Sequence, residues 1–246
     1  MKPWPHPRII AHRGGGALAP ENTLAGLRRA ASLGYSAVEF DVMLSRDGVP
    51  VLMHDETLDR TTNGRGAVAA TPYATLAALD AGSKFGAPFA GEPIPTFAAA
   101  AKLCIELGLW ANVEIKPARG HARETARAAA SLAAAVWRAA ETAPLLSSFD
   151  EDALAAAREA APQLPRGLLT ERVPADWRSG LERHGCVSLN CDHAHLREAD
   201  ARAIKGAGYG LACYTVNDPD AARRLFAWGV DAIFTDRLDL LGPDFR

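Results

Sequence analysis

The sequence predicts an α/β fold, a (β/α)8 TIM-type barrel with a small insertion after the second strand, and two observations carry that expectation. Short β-rich apolar runs alternate with longer Ala- and Leu-rich stretches of helical spacing, the pattern of repeated βα units on a parallel sheet. Eight such runs fit into 246 residues, which is the size of an eight-unit barrel. A doubly wound open sheet has the same alternation, so periodicity alone leaves both architectures open.

The strands are expected near 8–12, 37–42, 110–115, 145–148, 166–170, 186–190, 209–214 and 231–235. Helices are expected between them at about 22–33, 96–107, 122–142, 150–161, 175–183, 197–207 and 218–228, with a short one after Asp239. Pro20, Glu21 and Asn22 precede the first helix, Asp150 the fourth, and Asp218 with Pro219 the seventh, all residues that suit helix N-termini. Gly34, Gly108, Gly208 and Gly229 stand where a left-handed cap is wanted. Two pieces break the repeat. Residues 42–53, VMLSRDGVPVLM, carry the turn signal Arg46-Asp47-Gly48 and read as a hairpin that returns His54 towards Asp41. Residues 55–95, rich in Gly, Pro, Thr and Asp with a short helix at 73–80, form the insertion, read as a lid or binding loop or as a plain surface excursion.

The chain is 48% hydrophobic and 23% charged, enough apolar material for one large core, and is read as a single domain over 1–246. A net charge of -2 gives no general attraction to nucleic acid or to anionic membranes, so any phosphate binding must be local. The opening MKPWPHPRIIAHRG has three prolines in seven residues and no signal-like apolar core, and no stretch approaches a membrane span. A cytoplasmic protein with no nucleic-acid partner and no stable membrane insertion is expected, with homo-oligomerisation left open. Cys104, Cys186, Cys191 and Cys213 lack metal or redox spacing and read as reduced, buried small hydrophobes.

The chemistry gathers between Ile9 and Glu114, with Lys116 just beyond. In a barrel the C-terminal strand ends share one mouth. His12 ends the first strand, Glu39 and Asp41 the second, Glu114 and Lys116 the third, and alternation puts each pair on one face. Three carboxylates on adjacent strands repel unless a proton or cation joins them, and an all-oxygen set suits a hard divalent ion, Mg²⁺ or Ca²⁺. The bland reading is that they salt-bridge Arg13 and Lys116 inside the barrel. His12 and His54 titrate near neutrality and can form an acid-base pair. Arg13, Lys116 and the exposed backbone N–H groups of Gly14, Gly15 and Gly16 would cradle a phosphate diester. Asp192, His193 and His195 resemble metal-ligand spacing, but a solvent-facing loop explains them as well.

The blocks HRGGGALAPENTLAGL, VEFDVMLSRDGVPVLMHDETLDRTTNGRG, NVEIKP, SSFD, YTVND and GVDAIFTDR follow one another in an order that resembles the glycerophosphodiester phosphodiesterase family over essentially the whole chain. The resemblance implies hydrolysis of a small-molecule glycerophosphodiester to glycerol 3-phosphate and an alcohol with a divalent ion. It implies His12 and His54 as the acid-base pair, Glu39, Asp41 and Glu114 as metal ligands, and Arg13 and Lys116 on the phosphate. This chain departs from the family at Tyr214, where Trp is usual, at Leu238, where Pro is usual, and at Ser45, where Thr is common. Tyr214 is therefore expected at the glycerol or headgroup pocket, and Phe149 either beside it or in the core.

Overall fold

The computed structural model describes residues 4–246, so the first residues of the proline-rich N-terminus lie outside the described part. Eight parallel strands close into a barrel: β1 (Ile9–Ala11), β2 (Ala37–Leu44), β4 (Trp110–Ile115), β5 (Leu145–Ser148), β6 (Arg166–Thr170), β7 (Ser188–Asp192), β8 (Gly210–Tyr214) and β9 (Ala232–Thr235). Closure is explicit, because β1 pairs in parallel with both β9 and β2, and an open sheet is thereby excluded. The remaining strand, β3 (Pro50–Leu52), is antiparallel to β2 with Val42 opposite Leu52, which is the expected hairpin. Its return ends with the N–H of Met53 donating to the carbonyl of Asp41 at 3.2 Å, so His54 arrives beside the second strand.

Helices cover the outside: α1 (Leu24–Ser32), α3 (Phe97–Glu106), α4 (Ala122–Val136), α5 (Glu151–Ala160), α6 (Trp177–His184), α7 (Glu198–Gly206) and α8 (Pro219–Ala227), with a single turn, α2 (Tyr73–Leu76), in the insertion. Thr23, Thr96, Asp150 and Asp218 cap their helices, each side-chain oxygen accepting a backbone N–H of the first turn. The four anticipated glycines all have positive φ, from +67° at Gly108 to +96° at Gly229. Among the described residues no helix is long and apolar enough to cross a membrane.

Several boundaries differ from expectation, each for a physical reason. Helix α1 starts two residues late because Asn22, in a left-handed conformation at φ 55°, turns its amide to Asp41. Helix α4 stops at Val136 and tightens into a 3-10 turn, which tucks Trp137 against Phe97 at 6.0 Å. Strand β7 begins at Ser188 rather than 186, since Cys186 closes α6 by donating its N–H to Leu181 after the left-handed Gly185. After Asp239 there is a turn and no helix.

Alternation in β2 and β4 sets the layers of the barrel. Val38, Phe40 and Val42, with Ala111, Val113 and Ile115, face the helices in the main core. The inward positions pair in register as Ala37 with Trp110, Glu39 with Asn112 and Asp41 with Glu114. From the bottom upwards they run apolar, mixed, acidic. The floor is filled by Ile10, Ala37, Trp110, Leu145, Ala212, Ala232 and Phe234, so the barrel opens only at its polar top. The insertion is packed, not a loose loop: Leu58, Val68, Leu76 and Ile94 bury against Met43 and Val51 of the hairpin. The four cysteines are free and buried.

Candidate active site

A small cavity of about 150 Å³ opens at the C-terminal mouth, lined by His12, Arg13, Glu39, Asp41, His54, Glu114, Lys116, Phe149 and Tyr214 among others. All nine residues singled out in the sequence thus meet in one cleft. Glu39, Asp41 and Glu114 place one carboxylate oxygen each within 4.8 Å of one another, and they are the only such group among the described residues. Asp192, His193 and His195 do not converge. Their loop is a tight turn in which Asp192 accepts the N–H of Ala194 at 2.8 Å and its carbonyl accepts that of His195 at 3.1 Å.

The carboxylates are held by neighbours rather than by chance. Asp41, 1% exposed, accepts from the Asn22 amide at 2.8 Å while its own N–H donates to Asn22 Oδ1 at 3.0 Å. Glu39 accepts the backbone N–H of Arg13 at 2.9 Å, and Glu114 accepts from Lys116 Nζ at 3.0 Å. Burial, and then the charge of Asp41, push Glu39 up to about 7 and Glu114 up to about 8. Without a metal ion beside them Glu39 and Glu114 retain protons near neutrality. An all-oxygen cluster too crowded to ionise fully fits a hard divalent ion.

Each histidine is aimed by a carboxylate at its Nδ1. His12 lies 2.7 Å from Asp236 Oδ1, with its Nε2 turned inwards 3.8 Å from Glu39. His54 lies 2.7 Å from Asp55 Oδ1. Burial alone would lower both imidazoles. In His12 the hydrogen bond to Asp236 and the charge of Glu39 outweigh it and raise the pKa, whereas in His54 burial prevails and the pKa falls. Arg13, at φ 50°, sends its guanidinium to Glu21 at 2.9 Å, and its buried Nε lies 3.8 Å from Asp41 without making a hydrogen bond. Lys116 Nζ sits 5.8 Å from the Phe149 ring centre. Phe149, 44% exposed, therefore lines the cleft instead of packing in the core, and it meets Tyr214 edge-on at 5.7 Å. The Tyr214 hydroxyl donates to the Thr170 carbonyl at 2.8 Å, which fixes the ring.

Gly15 and Gly16 serve differently from expectation. The N–H of Gly15 donates to Arg13 and that of Gly16 to His12, so neither is free for phosphate. The glycines allow close packing instead. A Cβ on Gly16, at φ +53°, would meet the Asp236 carbonyl oxygen at 2.4 Å, and that segment carries the carboxylate that orients His12. Gly16→Ala is expected to destabilise the protein by ~1–3 kcal/mol and to lower turnover. Gly48→Ala, at φ +76° with open space around it, loses only the backbone preference and keeps activity. Thermal denaturation and a rate assay on the two variants check this; equal behaviour would refute the packing role.

Sequence reasoning overlooked Glu21, Asn22, Asp55, Arg60, Asn217 and Asp236. Asn217 Oδ1 accepts the Asp236 N–H at 2.8 Å and its amide donates to Asp236 Oδ2 at 3.1 Å. All six lie inside the motif blocks quoted above, so the signal was their place in those blocks. Of the remaining histidines, His6 stacks on Trp110 at 4.1 Å, and His121 and His184 lie 3.4 Å from Glu124 and 2.9 Å from Glu151.

Barrel and mouth together define a (β/α)8 enzyme whose centre combines clustered carboxylates, fixed cations and two oriented imidazoles. Residues 12–240 match the model of the Glycerophosphoryl diester phosphodiesterase family, and the chain belongs to that family. It is 36% identical over 229 residues to a glycerophosphodiester phosphodiesterase of Caldanaerobacter subterraneus subsp. tengcongensis, covering 93% of each chain. A phosphodiesterase of Oleispira antarctica, solved with the product sn-glycerol-3-phosphate, superposes with a TM-score of 0.89 at 39% identity, covering 94% of this chain and 93% of that one. A glycerophosphodiester phosphodiesterase of Agrobacterium tumefaciens superposes with a TM-score of 0.78 at 28% identity, covering 96% and 98%.

Proposed function

We propose that this chain, acting as one barrel domain, hydrolyses glycerophosphodiesters to glycerol 3-phosphate and an alcohol by acid-base catalysis with His12 and His54. The observation that carries the reading is the convergence of two carboxylate-oriented imidazoles with an all-oxygen acidic cluster in one cleft. Binding alone would need cations; it would not need two aimed imidazoles.

Glu39, Asp41 and Glu114 would hold the divalent ion, Mg²⁺ or Ca²⁺. When bound, such an ion supplies Lewis-acid polarisation of a phosphoryl oxygen and offsets the charge that grows there. Arg13 and Lys116 stand beside the same cluster and orient the phosphate through charge-assisted hydrogen bonds. With Nδ1 tied to Asp236 or Asp55, each histidine presents Nε2 to the cleft. One Nε2 takes the proton of the nucleophile and the other gives a proton to the departing alcohol oxygen; attack by water yields glycerol 3-phosphate directly, whereas attack by the glycerol 2-hydroxyl yields a cyclic phosphate that water then opens to glycerol 3-phosphate. Phe149 and Tyr214 form the apolar wall against which glycerol or the headgroup rests.

The test is direct. Glycerophosphocholine and glycerophosphoethanolamine are incubated with the protein, with and without EDTA, and glycerol 3-phosphate is measured. Product that EDTA abolishes and added Mg²⁺ or Ca²⁺ restores is expected. Absence of product with every ion would overturn the hydrolase reading, and product indifferent to EDTA would overturn the metal.

A further inference from the structure

One side chain outside the cleft touches both halves of its machinery. Arg60, in the insertion, donates from Nη1 and Nη2 to the two oxygens of Glu21 at 2.6 and 2.8 Å. It also donates from Nε and Nη2 to the two oxygens of Asp55 at 2.6 and 2.9 Å. Its Nη2 meets the very oxygens that serve the site: Glu21 Oε1, which accepts from Arg13 at 2.9 Å, and Asp55 Oδ1, which lies 2.7 Å from His54. An unbroken chain therefore runs Arg13, Glu21, Arg60, Asp55, His54, linking a phosphate-side cation to an acid-base imidazole.

We propose that Arg60 is a positioning residue that locks Arg13 and His54 into one geometry through its double fork on Glu21 and Asp55. This rests on the phosphodiesterase reading above. The physical grounds are three. A guanidinium binds two carboxylates bidentately only in a fixed plane, so its two partners are fixed relative to each other; a lysine, a point charge, cannot do this. The Arg60 side chain is 48% exposed, where ion pairs add little stability, so the contacts bear on geometry more than on folding. Finally, Arg60 belongs to the packed insertion, while Glu21 belongs to the loop before α1, so no local turn would otherwise hold the Glu21 and Asp55 carboxylates together.

The two arms make separable predictions. Arg60→Ala lowers kcat by about 10- to 100-fold through loss of the Asp55–His54 arm, a range typical of groups that orient a functional imidazole. It raises KM by several-fold through the Glu21–Arg13 arm, with the melting temperature little changed. In a His54→Ala background the kcat effect of Arg60→Ala disappears and the KM effect stays; in an Arg13→Ala background the KM effect disappears and the kcat effect stays. Arg60→Lys recovers only part of the loss, and added guanidinium at millimolar concentration partly rescues Arg60→Ala but not His54→Ala. Wild-type values for Arg60→Ala, or the same factors in all three backgrounds, would overturn the proposal. A second arm needs no turnover: in ¹⁵N-histidine NMR the Nδ1 proton signal of His54 weakens or shifts in Arg60→Ala. If the wild-type protein cleaves no diester, the functional reading fails, and an unchanged His54 signal would separately refute the positioning role.

Discussion

Asp41→Asn abolishes measurable divalent-ion dependence and lowers kcat/KM for glycerophosphocholine by at least ~10³-fold. The size follows from the several kcal/mol that a bound ion contributes to a phosphoryl transition state, at about 1.4 kcal/mol per tenfold. Asp41 is the most informative of the three carboxylates. It is 1% exposed, lies 3.8 Å from Arg13 and 3.7 Å from Lys116, and its charge helps to push up the pKa of both Glu39 and Glu114. Asparagine is isosteric and can still meet Asn22, so the fold is retained and the loss is chemical. The same cluster predicts proton release. With Glu39 and Glu114 raised, the metal-free folded protein binds more protons than the unfolded chain, so their contribution to stability falls as pH rises from about 4.5 through about 7 and 8. A divalent ion displaces those protons, so its affinity rises over the same interval. Calorimetric titration at pH 6, 7 and 8 in two buffers of different ionisation enthalpy reads both quantities. Affinity independent of pH, or Asp41→Asn activity within tenfold of wild type, would remove the carboxylates from the ion.

His12→Ala and His54→Ala each lower kcat by at least ~10²-fold while ion affinity changes little, since general acid-base catalysis contributes ~10²- to 10⁴-fold at each proton transfer. Asp236→Asn and Asp55→Asn lower it less, by about 10- to 100-fold, because they disturb orientation and tautomer without removing the imidazole. The roles separate with a diester of glycerol phosphate and p-nitrophenol. An activated leaving group needs no proton, so the variant lacking the acid recovers on this substrate and the variant lacking the base does not. Two variants that respond identically, or a single variant with near wild-type kcat, would dismiss the pair.

Much of this site was legible because strand alternation is strict. Glu39 and Asp41 are two residues apart on β2, as are Glu114 and Lys116 at the end of β4, so their convergence needed only the fold class. His54 was reachable because Arg46-Asp47-Gly48 announces a turn whose length brings the chain back. Asp236 was out of reach of spacing arguments: it stands 224 residues from His12, and only barrel closure through the β1–β9 pairing brings them together. Asn22 was misread as helix punctuation, because a left-handed residue that hydrogen-bonds a buried carboxylate looks, in one dimension, like an N-terminal cap. Gly15 and Gly16 were misread for a related reason. Glycine marks close approach, and what approaches was the Asp236 backbone instead of a phosphate.

By itself the sequence determined the repeat, the inward acidic face and the identity of the groups that do chemistry, because periodicity and side-chain type are local properties of the chain. Only the tertiary structure decided closure over an open sheet, the carboxylate behind each imidazole, and the span of Arg60 from Glu21 to Asp55. Those depend on contacts between residues far apart in sequence, whose meeting is fixed by strand register and by the packing of the insertion on the hairpin, and no local pattern encodes either.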